Sequence, residues 1–189
     1  MCGRFARKST QEVLADWFGL ELEEMPWFAP SYNAAPQSVQ PAVRLNRDSG
    51  SREVTLLRWG LVPFWAKDAK IGYSTINARA EEAASKPAYR DAFKKRRCLV
   101  PADAFYEWQR LDPKTKRPFA FALASGEPFA FAGLWESWRP KEGDSTSTEM
   151  TGRAECSRRE PGPQTRLDQP HRAIELDRQN QDAALYPSF

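Results

Sequence analysis

Histidine is nearly missing from this chain. His171 is the single copy, so metal centres built on two or more imidazoles are excluded. Cysteine is scarce as well. Cys2, Cys98 and Cys156 stand far apart, with no metal-knuckle spacing and no even set for a disulfide framework. Neither a metal nor a cofactor is expected. Charge of one sign is not in excess: Lys plus Arg total 28, Asp plus Glu 25, and the net charge is +3. That balance argues against a polycation coating nucleic acid through charge alone, while leaving room for a local basic groove. No apolar run approaches the roughly 18–20 residues of a membrane span. The segment Met1-Cys2-Gly3-Arg4-Phe5 has no signal-peptide h-region. A reducing setting, cytoplasm or nucleoid, with no membrane partner is the expectation.

What the chain does have is aromatic and apolar mass. Of 189 residues, 41% are hydrophobic and 12% aromatic, enough for one domain with a real core. The composition changes near residue 151. Of the 23 aromatics, 21 precede it, as do all the lysines; residues 151–189 hold six Arg, six acids and four Gln. So little apolar surface does not offset the ordering of a chain. The reading is a domain over 1–150 and a mostly disordered tail over 151–189 with a short helix at 173–184, a packed C-terminal hairpin being the alternative.

Within the domain, Ser9-Thr10-Gln11-Glu12 is a capping-box pattern. It precedes Val13, Leu14, Trp17 and Phe18 on one helical face, and Gly19 is placed to end the helix. Pro87 opens a second helix, with Ala88, Tyr89, Ala92 and Phe93 on one face, closing on Lys94-Lys95-Arg96-Arg97 where cations suit the helix end. Strand patterns cover 39–45, 53–61, 97–100, 104–109, 118–124 and 128–135, with Gly126 marking a hairpin between the last two. Strands outnumber helices and rarely alternate with them. The expected fold is α+β, a mostly antiparallel, barrel-like sheet with a few short helices.

Cys2 follows the initiator Met, and a small second residue permits Met removal. An N-terminal Cys would carry an amine of pKa about 7.7–8.0 and a thiol of about 8.5 on adjacent carbons. The amine can condense with an aldehyde, and the thiol can then close a five-membered thiazolidine ring, helped by proximity. Position 2 alone is a weak signal. Cys98, in an apolar strand, reads as packing, and Cys156 as incidental.

Four further segments are dense in chemistry-bearing residues. Tyr32-Asn33-Ala34-Ala35-Pro36 puts an Asn before a proline turn, where Asn often bonds its own backbone. The run Arg58-Trp59-Gly60-Leu61-Val62-Pro63-Phe64-Trp65-Ala66-Lys67-Asp68 sets two Trp beside cations, as base stacking and phosphate contact require. Core packing is the alternative, more so for Trp59 than for Trp65 beyond the turn. Asn77, Arg79 and Glu81, spaced by two, share a face if extended; otherwise they form a helix start with a capping Asn. Glu107 stands among aromatics. It is a general acid/base if buried, or a half-exposed strand residue paired with Arg110.

Together, Met1–Phe5, Tyr32–Pro36, Arg58–Leu61 with Pro63–Trp65, Asn77–Glu81 and Pro101-Ala102-Asp103 through Glu107-Trp108 resemble the SOS-response-associated peptidase (SRAP) family. Five motifs in order cover roughly 2–150. The resemblance implies a thiazolidine crosslink between Cys2 and the ring-opened abasic site in single-stranded DNA. Asn77 would position the opened sugar and Glu107 would shuttle protons. Arg4 and Arg79 would contact phosphates, Trp65 and Lys67 would line the single-strand groove, and Asn33 would lie near the DNA path. A DNA lyase step and autoproteolytic removal of Met1 are implied too, in a monomer. N-terminal-Cys peptidase or amidohydrolase chemistry and non-covalent single-strand binding are the competing readings. The sequence departs from the family after Met150-Thr151. No His-Asp-Arg-Met-Pro-like segment follows, and His171 has a different context; beside the family, the domain is therefore expected to be incomplete at its C-terminal end, the tail divergent and crosslinking weakened.

Overall fold

A computed structural model describes residues 3–139 in full, together with the backbone of residues 148–155 and 172–175. In chain order its strands are β1 (Arg4–Arg7), β2 (Ser31–Ala34), β3 (Val39–Leu45), β4 (Arg52–Trp59), β5 (Arg97–Ala102), β6 (Ala104–Arg110), β7 (Lys116–Ala122), β8 (Phe129–Trp138), β9 (Thr148–Glu155) and β10 (Arg172–Glu175). Five of them close a barrel in the order β3-β4-β9-β8-β5, and the others form a sheet in the order β10-β7-β6-β1-β2. Among the described residues only β4 and β9 pair in parallel; the other pairings are antiparallel. The helices α1 (Gln11–Phe18), α2 (Ala80–Ala83) and α3 (Arg90–Lys95) are short. This is the α+β, mostly antiparallel architecture expected from the strand-rich pattern.

Six strand patterns return as β3 to β8, with ends displaced by a few residues. The hairpin at Gly126 does not form. Gly126 does adopt the left-handed φ of 76°, but β7 pairs with β6 and β10, whereas β8 pairs with β5 and β9. The turn therefore carries the chain from the sheet to the barrel. The helix expected at 173–184 begins instead as strand β10, paired with β7; residues 176–184 lie outside the described residues. β9 runs across position 150, where the composition changes.

Helix α1 differs from its pattern in two ways. Thr10, not Ser9, is the N-cap and makes no side-chain cap bond; the Ser9 hydroxyl donates to Asp103 at 2.5 Å. The buried face is Leu14, Ala15 and Phe18, while Val13 and Trp17 are exposed. At its other end the Gly19 N–H bonds the Asp16 carbonyl and the Leu20 N–H bonds that of Ala15, the Schellman arrangement that a φ of 63° at Gly19 permits. The second expected helix starts later, at Arg90, with Tyr89 as its N-cap. Tyr89 and Ala92 are buried, but Phe93 is exposed.

Sheet and barrel meet over one aromatic cluster. Phe5 of β1, Ala34 of β2, Trp59 of β4, Ala102 of β5 and Phe131 of β8 are all buried, with Ile76, Phe105 and Phe129 packed against them. The Phe5 ring lies 5.4 Å from Trp59 and 5.7 Å from Phe131, in tilted and edge-on contacts. Each such pair adds about 0.5–1.5 kcal/mol beyond its area burial.

Candidate functional site

Cys2 and His171 lie outside the described residues; the chain is described from Gly3 onward. Strand β1 pairs with β6 so that Arg4 stands opposite Tyr106 and Phe5 opposite Phe105. The N-terminal end of β1 is thereby brought level with the Glu107 region. Period-two alternation sends Phe5 into the aromatic cluster and Arg4 to the other face of the sheet. There the Arg4 Nη1 donates to Asn33 Oδ1 at 2.9 Å. The neighbouring Tyr106 hydroxyl donates to the Tyr32 carbonyl at 2.8 Å, fixing β2 beside β1. Asn33 thus bonds an arginine across the sheet rather than its own backbone.

Glu107 is half-buried on β6, opposite Phe119 of β7. It shares the face of Phe105, two residues earlier, which packs on the cluster. Asn77 is half-buried and follows Ile76 of the same cluster. The 77–79 segment is neither strand nor helix. Arg79 is the N-cap of α2 without a side-chain cap bond, and Glu81 sits in its first turn. The cap therefore falls two residues after Asn77, at Arg79, whose backbone is extended, while Glu81 is already helical. Arg79 is exposed and lies 3.5 Å from Glu82.

The two tryptophans of the central motif divide. Trp59 is 5% exposed and Trp65 is 46% exposed. The cause is local. Ala66 is buried against Val62 and Trp138, its N–H bonds the Pro63 carbonyl, and its carbonyl accepts from the Trp138 Nε1–H at 2.7 Å. With Ala66 pinned, its neighbours Trp65 and Lys67 both face solvent.

Three of the candidate positions are one step along the chain from a residue of the one cluster: Arg4 beside Phe5, Asn33 beside Ala34, Asn77 beside Ile76. Arg4 and Asn33 touch directly. Trp65 and Lys67 are carried on the loop that leaves β4 after Trp59, and Arg79 on the stretch leading into α2.

Some supporting residues were given no role by the sequence. Asp103 is buried at the corner between β5 and β6, where its carboxylate accepts from the Lys8 N–H (2.6 Å), the Ser9 N–H (2.9 Å) and the Ser9 hydroxyl. The Arg7 guanidinium is also buried, 4.6 Å from the Phe28 ring centroid, and donates to the Ala29 carbonyl at 2.6 Å. Burial lowers its pKa and the Asp103 charge partly opposes that. Cys98 is buried, as its apolar strand implied. Desolvation pushes its thiol up to about 12, against the pull of Arg44, which leaves it without thiolate character near neutral pH.

Comparison with known proteins agrees with these motifs. The protein is 46% identical over 150 residues to the abasic site processing protein YoqW of Bacillus subtilis, covering 78% of this chain and 66% of that one. It is 33% identical over 146 residues to the abasic site processing protein HMCES of Xenopus tropicalis, covering 63% and 43%. The chain thus spans about two thirds of the length of the Bacillus relative and under half of the vertebrate one. A crystal structure of a Bacteroides thetaiotaomicron protein superposes with a TM-score of 0.66 at 23% identity, over 80% of this chain and 66% of that one, a likeness of fold. One from Bordetella bronchiseptica gives 0.62 at 25%, over 80% and 69%. The model of the SOS response associated peptidase family matches residues 1–158, and with 46% identity to a curated relative beside it, the chain belongs to the SRAP family.

Proposed function

We propose that this protein is an abasic site processing protein that captures the ring-opened abasic site of single-stranded DNA as a thiazolidine on Cys2. The chemistry closes without a cofactor. The free α-amine of Cys2 adds to the sugar aldehyde and loses water to give a Schiff base. The Cys2 sulfur then adds to the imine carbon while a proton moves to the nitrogen, so one C–N and one C–S bond form for one water lost. Glu107 carries protons in sugar opening and dehydration. Asn77 holds the opened sugar, and Arg4 and Arg79 take flanking phosphates. Trp65 offers a face on which a base can stack, with Lys67 on the backbone beside it. Asn33 orients Arg4 through their hydrogen bond. A lyase step and removal of Met1 belong to the same reading. The work is DNA-damage (SOS) processing by a monomer in the cytoplasm, at the nucleoid.

The observation that supports this best is the shared cluster of Phe5, Ala34, Trp59, Phe105 and Ile76. It joins motif segments that the sequence keeps far apart, in a chain 46% identical to a protein named for abasic-site processing. Intact-mass analysis after incubation with an abasic single strand is the test. The expected result is loss of Met1 and one adduct that survives denaturation, absent with intact DNA and absent in Cys2→Ser. An adduct retained by Cys2→Ser, or none from a chain that has lost Met1, overturns the proposal. Cleavage of peptide or amide substrates in place of the adduct would favour the N-terminal-Cys hydrolase.

A further inference from the structure

We propose that Trp59 and Tyr89 are positioning residues that set the aim of the Asn77 side chain through the two peptide groups flanking its Cα. The inference rests on the reading of Asn77 as the residue that holds the opened sugar. Asn77 lies between the 3-10 turn of residues 69–73 and α2, outside any helix or strand, so no ladder of backbone bonds fixes it. Two side-chain donors do so instead. The Trp59 Nε1–H donates to the Ile76 carbonyl at 2.8 Å. The Tyr89 hydroxyl donates to the Asn77 carbonyl at 3.0 Å.

The choice of carbonyls matters. A planar peptide leaves each residue only φ and ψ as soft angles. The Ile76 carbonyl belongs to the plane before the Asn77 Cα, and the Asn77 carbonyl to the plane after it. Fixing both planes fixes φ and ψ of this one residue, and with them the direction of its Cα–Cβ bond. The donors are themselves held. Trp59 sits in the aromatic cluster against Phe5. Tyr89 is buried with Leu61, Ala78 and Ala92. Ala78, next to Asn77, is buried in that second cluster. The chain just before the clamp is tied too: Thr75 Oγ1 donates to the Leu61 carbonyl at 2.5 Å, and the Leu61 N–H donates to that of Thr75 at 3.3 Å. Such support is what holds a reacting group within the tolerance that catalysis needs.

Tyr89→Phe removes one oxygen and keeps the ring in its pocket. With the full chain and an abasic single-stranded oligonucleotide, the crosslinking rate at saturating DNA is expected to fall about tenfold. The half-saturating DNA concentration should stay within about twofold, because the ring is buried among Leu61, Ala78 and Ala92 and stays there in the variant. In an Asn77→Ala background, Tyr89→Phe should cost nothing more, since the hydroxyl acts only through that side chain. Leu14→Val, in the separate cluster under α1, serves as a control that lowers stability without slowing the reaction. Amide 15N relaxation gives a readout independent of activity, with lower backbone order at Asn77 in Tyr89→Phe. The clamp is overturned if Tyr89→Phe reacts at the parental rate. It is overturned equally if the loss persists in Asn77→Ala, if Leu14→Val reproduces it, or if order at Asn77 is unchanged. A parental chain that forms no adduct overturns the proposed function instead, and the relaxation measurement then decides the clamp.

Discussion

Asp103 shows how one side chain can set the register of the strand that leads from the proposed reactive end. Its carboxylate takes three donors from Lys8 and Ser9, and its own N–H donates to the Ala6 carbonyl at 2.8 Å. The end of β1 is thereby stapled to the corner between β5 and β6. Removing the carboxylate strands those part-buried donors and leaves the Arg7 guanidinium without its nearby opposite charge. Asp103→Ala is expected to cost about 3 kcal/mol, read from urea denaturation, and a loss under about 1 kcal/mol would rule out the staple. No local pattern announced this role, because the partners lie 94 and 95 positions away in the chain. Other residues were legible. Cys98 in its apolar run read as packing, and Trp65 beyond Pro63 read as the more accessible tryptophan. Both readings rested on immediate neighbours, and immediate neighbours decide burial there.

At the scale of elements, the six longer strand patterns were readable because four to eight residues of β-branched and aromatic character suffice to mark a strand. β1 and β2, four residues each, were seen only as motifs; they are too short to show a period. The loop between β4 and α2 was visible as a motif, but its geometry was not. It depends on a close approach of two backbones. Gly60 has a φ of 139°, and a Cβ there would collide with the Gly72 carbonyl and the Gln37 side chain. Gly126 also has a positive φ, but a Cβ there meets open space. Gly60→Ala therefore combines backbone strain with a backbone clash. It is expected to cost about 3 kcal/mol, against about 1 kcal/mol for Gly126→Ala. Because Trp65 and Lys67 ride on the loop that this contact closes, and Asn77 follows five residues after it, Gly60→Ala should also slow crosslinking. Gly126→Ala should leave the rate unchanged. Equal stabilities for the two variants in denaturant titrations would remove the close approach as an organising contact.

Across the whole molecule, the barrel-like character was legible from the count and spacing of strands, whereas the partition into sheet and barrel was not. Which strand joins which sheet is settled by pairings distant in sequence, such as β1 with β6 and β5 with β8, and a turn glycine says nothing about them. The same distinction between local and global applies to charge. A net charge of +3 on 189 residues gives little long-range attraction for DNA, so in the proposed function affinity rests on the few cations assigned to the DNA path: Arg4, Lys67 and Arg79. Three phosphate contacts on a single strand, each releasing roughly 0.7 of a counterion, give a slope of log affinity against log salt of about −2. Fluorescence anisotropy with an intact single strand between 50 and 200 mM salt (about the range where such slopes are linear) would measure it. Lys67→Ala and Arg79→Ala should each flatten the slope by about 0.7. Trp65→Ala should weaken binding by about 1–3 kcal/mol at every salt concentration, because stacking releases no ions. A slope near zero would mean that these cations do not touch the phosphates. A slope near −6, about three times the expected value, would mean that the basic surface extends well beyond the three residues, and the path of the strand over the sheet would have to be redrawn.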